Sequence, residues 1–186
     1  MTAKQAPLAG VRIIEASMLG PAAITTNLAD LGADVIKVEP PAGDYVRQMT
    51  WPIVEGTSLM HLHLNRGKRS ITIDLRTDEG VALFKELAKD ADAVVEAMRP
   101  GALAKRGVGY DVLKEINPAI VFCSISGYGS SGPYLHRKAF DLLLQGETGV
   151  IATTGNGDEL AKLGISVGDI GAGVYGAMGV LAALYE

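Results

Sequence analysis

The sequence predicts an α/β fold, Rossmann-like, in which a mostly parallel sheet carries helices on both faces. Short β-rich runs alternate with helix-patterned segments, the signature of βαβ units. The helical segments carry start and stop signals at their ends. A chain of 186 residues with 48% hydrophobic content also buries a full core without staples, so a single domain over residues 1–186 is expected.

The first strand is VRIIEA, residues 11–16. PAAITTNLADLG follows as a helix, because Pro21 suits a first turn where its missing N–H has no partner, and Gly32 stops it. DVIKVE, residues 34–39, is the second strand. Residues 43–69 show no clean period and are long for a loop in such a domain, so a functional role is expected there. SITIDL, residues 70–75, is the next strand. TDEGVALFKELAKDA reads as a helix with Thr77 as N-cap, acids in its first turn, and Val81, Phe84, Leu87 and Ala88 at helical spacing. DAVVEA (residues 92–97) and AIVFCSIS (residues 119–126) complete the strands. The last helix ends at LAALYE with no glycine cap and no following strand, which leaves an apolar face unpacked and points to a chain that is part of something longer.

A net charge of −4 and a pI near 5.4 provide no basic field, which argues against nucleic acid or an anionic membrane as partner. An anionic ligand then needs local cations. Cys123 stands alone, so no internal disulfide forms, and its apolar run reads as core in a reducing compartment. MTAKQAPLAG lacks the apolar stretch of a signal peptide, and the longest uncharged run, residues 170–185, falls short of the ~20 residues of a membrane helix. A cytoplasmic protein with no membrane partner is the expectation.

GYGSSG (residues 127–132) and GAGVYG (residues 171–176) both spell the dinucleotide pattern G-x-G-x-x-G. The chemistry needs a strand entering the loop, a helix leaving it onto the pyrophosphate, and an acid about 20 residues on. Pro133 follows the first copy and no second strand follows the second, so nicotinamide binding is not expected. His61 and His63 in HLH face one way if that segment is a strand, but a third ligand is missing and no metal is expected.

Asp169 precedes a glycine-rich apolar helix whose pattern starts near Gly171, and two roles compete for it. As N-cap it accepts a backbone N–H of the helix. As an ionised group beside the helix N-terminus it is a nucleophile, with bare backbone at Gly168, Gly171 and Gly173 admitting substrate and offering oxyanion donors.

The ordered motifs PLAGVRIIEAS, GPAAITTNLADLGADVIKVEPPAGD, LNRGKRSITIDLRTDEG, VEAMRPGALAKRGVGYDVLKEINPAIVFCSISGYGSSGPY, AFDLLLQGETGV and VGDIGAGVYGAMGVLAAL closely resemble the N-terminal half of class III CoA-transferases, the CaiB/BaiF family. The resemblance covers essentially the whole chain. It implies that Asp169 is the catalytic nucleophile of an acyl-CoA:carboxylate CoA-transferase working through covalent aspartyl intermediates. Coenzyme A, as acyl-CoA substrate, is implied to lie along Ser17, Met18, Ile73, Arg76, Met98, Lys105, Arg106 and Lys138, and the full-length protein is implied to be an interlocked homodimer. Pro40 and Pro41 replace an adenine-stacking arginine, and Met18 and Ala97 replace a glutamine and an asparagine of formyl-CoA-type members, which argues against oxalate and formate. The same fold hosts α-methylacyl-CoA racemases, whose acid/base histidine is replaced here by Phe140. A second alternative is a truncated CoA-binding module without activity.

Overall fold

The computed structural model describes residues 6–186, so the first five residues of the N-terminal stretch lie outside the described residues. The chain runs β1 (Arg12–Ala16), α1 (Ala22–Asp30) and β2 (Asp34–Glu39), then a 3-10 turn (Tyr45–Gln48) and a short hairpin of β3 (Ile53–Val54) and β4 (Thr57–Ser58). It continues through α2 (Leu59–Leu64), β5 (Arg69–Thr72), α3 (Asp78–Lys89), β6 (Ala93–Glu96), α4 (Ala102–Lys105), α5 (Tyr110–Ile116) and β7 (Val121–Ser124). α6 (Asp141–Glu147), a hairpin of β8 (Gly155–Asn156) and β9 (Glu159–Leu160), and α7 (Val167–Tyr185) complete it.

Five strands form one sheet in the order β5-β2-β1-β6-β7, and every neighbouring pair is parallel. The order reverses between β1 and β6, and the carboxyl ends beside such a reversal form the natural crevice of an open α/β sheet. Side chains alternate along each strand and divide the core in two. Ile14, Ala16, Val38 and Val94 pack with Phe84, Ala88, Leu103 and Leu113 of α3, α4 and α5. Ile13, Val35 and Val95 pack on the opposite face with Ile24 and Leu28 of α1 and Ala177 and Val180 of α7. The predicted two-faced α/β architecture is therefore observed.

Most of the predicted boundaries hold. Thr77 caps α3, its hydroxyl accepting the Gly80 N–H at 3.0 Å. Residues 43–69, which lack a clean period in sequence, contain the 3-10 turn, the β3–β4 hairpin and α2. His61 and His63 lie on α2 rather than on a strand, where two-residue spacing points them apart, so His61 is buried and His63 exposed. Among the described residues no group of three metal-ligating side chains occurs.

The second glycine motif lies within α7. A β-carbon at Gly173 would lie 3.2 Å from Ala23 Cβ and one at Gly176 would lie 2.6 Å from the Ile24 side chain, so these glycines let α7 approach α1. No helix begins at residues 127–132, and the next one is α6. α7 starts at Val167, earlier than the sequence implied, and its 19 residues meet the length and composition of a membrane span. Its contact face, with Gly173, Ala177 and Val180 buried, accounts for part of that apolar character as core packing.

Candidate active site

Asp169 lies inside the first turn of α7, and Ser166 occupies the N-cap position without a side-chain cap bond. The N-cap role for Asp169 is thereby corrected. Capping comes from Asp141 of α6, whose Oδ1 accepts the Gly168 N–H at 2.7 Å and the Asp169 N–H at 3.4 Å. Gln145 Nε2 donates to Asp141 Oδ2 at 2.7 Å and fixes the cap. The Val167 N–H donates to Ile165 O and the Ile170 N–H to Ser166 O. These first-turn N–H groups are engaged, so the expectation that α7 itself supplies oxyanion donors is not met.

The Asp169 carboxylate is half-buried, and among the described residues no donor reaches it. Gly20, in the turn after β1, lies directly against it: a β-carbon there would stand 2.5 Å from Asp169 Cγ. Only glycine permits that approach. Burial, and then the like charge of Asp141, push the Asp169 carboxyl up from its ordinary value. This direction runs against the expectation that the helix N-terminus holds the carboxyl low, because burial and the neighbouring carboxylate both act the other way. An under-solvated carboxylate is more basic, which suits a nucleophile. Tyr45 shares this neighbourhood: its phenol is raised by burial, by Asp44 and by Asp169.

Beneath the turn after β1 lies a buried ionic cluster. Strand alternation puts Glu15 and Lys37 on the α1 face, and the β1–β2 register makes them direct neighbours. Lys37 Nζ donates to Glu15 Oε1 at 2.9 Å and to Ser17 O at 2.6 Å, and pairs with Asp44 Oδ2 at 3.1 Å. Lys68 Nζ pairs with Glu15 Oε2 at 2.7 Å and donates to Ala22 O at 2.9 Å and Asn65 Oδ1 at 3.1 Å. Burial would raise Glu15, but Lys68 and Lys37 outweigh it and hold the carboxyl low. Burial brings Lys68 down to about 8 against the opposing pull of Glu15.

A cleft of about 250 Å³ opens over the carboxyl ends of the strands, lined by Ala16, Val38, Pro40, Ile73, Met98 and Arg106 among others. Of the implied CoA residues, Ile73, Arg76, Met98 and Arg106 line it. Arg76 is held by Asp74, whose carboxyl the guanidinium brings down to about 2. Ser17, Met18, Lys105 and Lys138 do not line the cleft. Ser17 is buried with its hydroxyl on Glu15 Oε1 at 3.0 Å, whereas Met18, Lys105 and Lys138 are exposed. Pro40, Pro41 and Ala42 supply its wall beyond β2, an apolar surface where the arginine is missing.

Asp141, Gly20 and the Glu15–Lys37–Lys68–Asp44 cluster are the site features that sequence reasoning missed. The charged residues in the middle of VRIIEA and DVIKVE were the available signal, since an ion inside a buried strand needs a partner. Nothing local marks Asp141 as the cap of a helix 26 residues further on, at Val167.

The chain matches the model of CoA-transferase family III over residues 8–186. It is 42% identical to a succinate–glutarate CoA-transferase of Agrobacterium fabrum, over 99% of this chain and 48% of that protein. A formyl-CoA:oxalate CoA-transferase of Streptomyces coelicolor is also 42% identical, over 100% of this chain and 45% of that protein. A solved CAIB/BAIF family protein from Brucella suis aligns with a TM-score of 0.90 at 42% identity, covering 98% of this chain and 50% of that one. The chain thus spans about half the length of the curated relatives it matches.

Proposed function

The chain belongs to CoA-transferase family III, and on that premise we propose that it carries the nucleophile of a transferase that moves coenzyme A from an acyl-CoA thioester to a carboxylic acid. The observation that carries this reading is the Asp169 carboxylate, half-buried, without a hydrogen-bond donor among the described residues and pressed against the bare backbone of Gly20.

Asp169 attacks the thioester carbon, the C–S bond breaks, and a mixed anhydride forms as CoA leaves as thiolate. The thiolate then attacks the Asp169 side of the anhydride, releasing the donor acid and leaving an aspartyl-CoA thioester. The acceptor carboxylate attacks that thioester to give a second anhydride, and the returning thiolate cleaves it at the acceptor carbonyl, regenerating Asp169. No net proton is gained or lost. The Leu19 and Gly20 N–H groups, which donate to no oxygen among the described residues, are the donors we assign to the developing oxyanion, in place of those of α7. We place the nucleotide end of CoA in the cleft of Ile73, Arg76, Met98 and Arg106, where guanidinium groups meet an apolar wall. Ala16 lines that cleft and Gly20 touches Asp169, so the turn between them bridges the two.

The racemase alternative requires an acid/base group at position 140, and the 66% exposed phenyl ring of Phe140 provides none. Relatives named for succinate–glutarate and for formyl-CoA and oxalate are equally similar, so Met18 and Ala97 are the basis on which we disfavour oxalate. The exposed Ile170, Val174, Tyr175 and Met178 of α7 support a face covered in the assembled full-length protein, which we read as a homodimer. Incubation with succinyl-CoA, quenching with hydroxylamine and peptide mass spectrometry test the assignment. A hydroxamate confined to Asp169 is expected, and CoA binding without any adduct would favour a non-catalytic CoA-binding module.

A further inference from the structure

We propose that Lys37 and Lys68 are positioning residues that clamp the two ends of the turn carrying Gly20 and thereby hold its backbone against Asp169. The proposal rests on the transferase reading only for its consequence in catalysis; the clamp itself is a statement about geometry.

The turn leaves β1 at Ser17 and enters α1 at Ala22. Its first carbonyl, Ser17 O, accepts from Lys37 Nζ at 2.6 Å, and its last, Ala22 O, accepts from Lys68 Nζ at 2.9 Å. Both ammonium side chains are only 2% exposed. Between these two anchors the backbone takes an unfavourable path: Leu19 has φ of 58°, which a branched side chain rarely adopts. Gly20 then comes within contact of Asp169. A strained conformation persists only where its surroundings over-determine it, and two buried cations at its ends do so.

The cluster is balanced for that task. Glu15 sits between the two ammonium groups with one oxygen on each, and Asp44 is the second anion, so two positive charges meet two negative ones. Ser17 Oγ and Thr25 Oγ1 also donate to Glu15, tying in the turn and α1. Asp44 extends the clamp to the other side of the site, because its Oδ1 caps the 3-10 turn that carries Tyr45 by accepting the Val46 N–H at 2.9 Å. A buried ion pair is a weak source of net stability, since apolar replacements of similar volume often stabilise a fold equally well. Fixing the geometry of a reactive site gives the arrangement a purpose that stability does not.

The test compares the wild-type chain with Lys68→Met and with the charge-balanced pair Glu15→Gln/Lys68→Met. Hydrogen exchange is read by segment, and Asp169 acylation is read at saturating succinyl-CoA. The clamp predicts faster exchange of the Ala22 and Ala23 amides, which donate to Leu19 O and Gly20 O across the turn, with the α3 and β6 amides unchanged. It also predicts acylation slower by about 10–100-fold, with the half-saturating concentration changed by less than about threefold. Unchanged exchange in that segment, or unchanged acylation in a folded variant, overturns the proposal. If neither variant folds, the cluster is a stability element and the proposal fails. If the wild type itself forms no adduct, the transferase reading fails, and the exchange measurement alone decides the clamp.

Discussion

Among the described residues Asp169 has no donor to offset its burial, and Asp141 adds a like charge beside it. A carboxyl raised above its ordinary value of 3.8 binds its proton more tightly in the folded state than in the unfolded chain. Its contribution to stability is therefore full below 3.8 and is lost as pH rises through the raised value. Asp169→Asn removes that loss, so thermal unfolding at pH 7 should show a midpoint higher by about 2–4 °C, with the gain shrinking in acid. On the proposed mechanism the same variant should abolish the aspartyl adduct. A midpoint that is lowered, or a gain that grows toward acid pH, would contradict the placement of this side chain. Glu39 has the opposite sign. Burial opposes its charge, but Arg47, Ser70 and the Asp44 N–H bring it down to about 2. Its stability is present above 4.5 and lost as pH falls toward about 2. Glu39→Gln should cost about 2 kcal/mol at neutral pH by urea unfolding and nearly nothing at pH 2. Asp169 was legible in sequence as a carboxylate before a glycine-rich helix, and resemblance gave it a role. Its surroundings were not, because Asp141 and Gly20 reach it only through the tertiary fold.

The junction of α6 and α7 offers a cleaner separation of capping from charge. Asp141→Ala leaves the Gly168 and Asp169 N–H groups without their acceptor and should cost about 1–2 kcal/mol in chemical denaturation. Asp141→Asn keeps an oxygen acceptor while removing the like charge, so it should retain most of the stability and lower the acid midpoint of Asp169 acylation. If both variants behave alike, charge and cap are not separable as described. Along α7 itself, Gly176→Ala places a methyl 2.6 Å from the Ile24 side chain. Over-packing of that kind should cost about 1–3 kcal/mol, whereas Gly179→Ala, with nothing within 4 Å, should be neutral or stabilising. The glycines spell a nucleotide pattern that the sequence context already argues against, and their spacing alone did not reveal the neighbouring helix. The strands and α3 were readable because period, caps and apolar runs are local properties. The 3-10 turn and α2 were not, since short elements are held by contacts such as Ser58 Oγ with Val46 O, at 2.6 Å, that link distant residues.

Across the molecule, the crevice lies where a parallel sheet with reversed strand order places it, at the strand carboxyl ends. That much follows from the alternation of elements in the sequence. Which cations serve the crevice did not follow, because a basic cluster in sequence fixes no direction in space. Lys105 and Arg106 are adjacent, yet only Arg106 lines the cleft, its guanidinium donating to Leu75 O. Arg106→Gln should accordingly weaken CoA binding by about 3–10-fold in calorimetry at low salt, with the difference shrinking as salt rises. Lys105→Gln and Lys138→Gln should change it less, and a larger effect of Lys138→Gln would move the phosphate site away from the cleft. The covalent exchange at Asp169 is tested most directly by supplying an acceptor acid labelled with heavy oxygen in its carboxylate and following many turnovers. On the proposed route the second anhydride is bridged by an acceptor oxygen, so each turnover delivers one heavy oxygen to the Asp169 carboxylate while one of the two already there leaves with the donor acid, and label should build up in both oxygens, found by peptide mass spectrometry. CoA transfer that proceeds while Asp169 stays unlabelled would contradict the account.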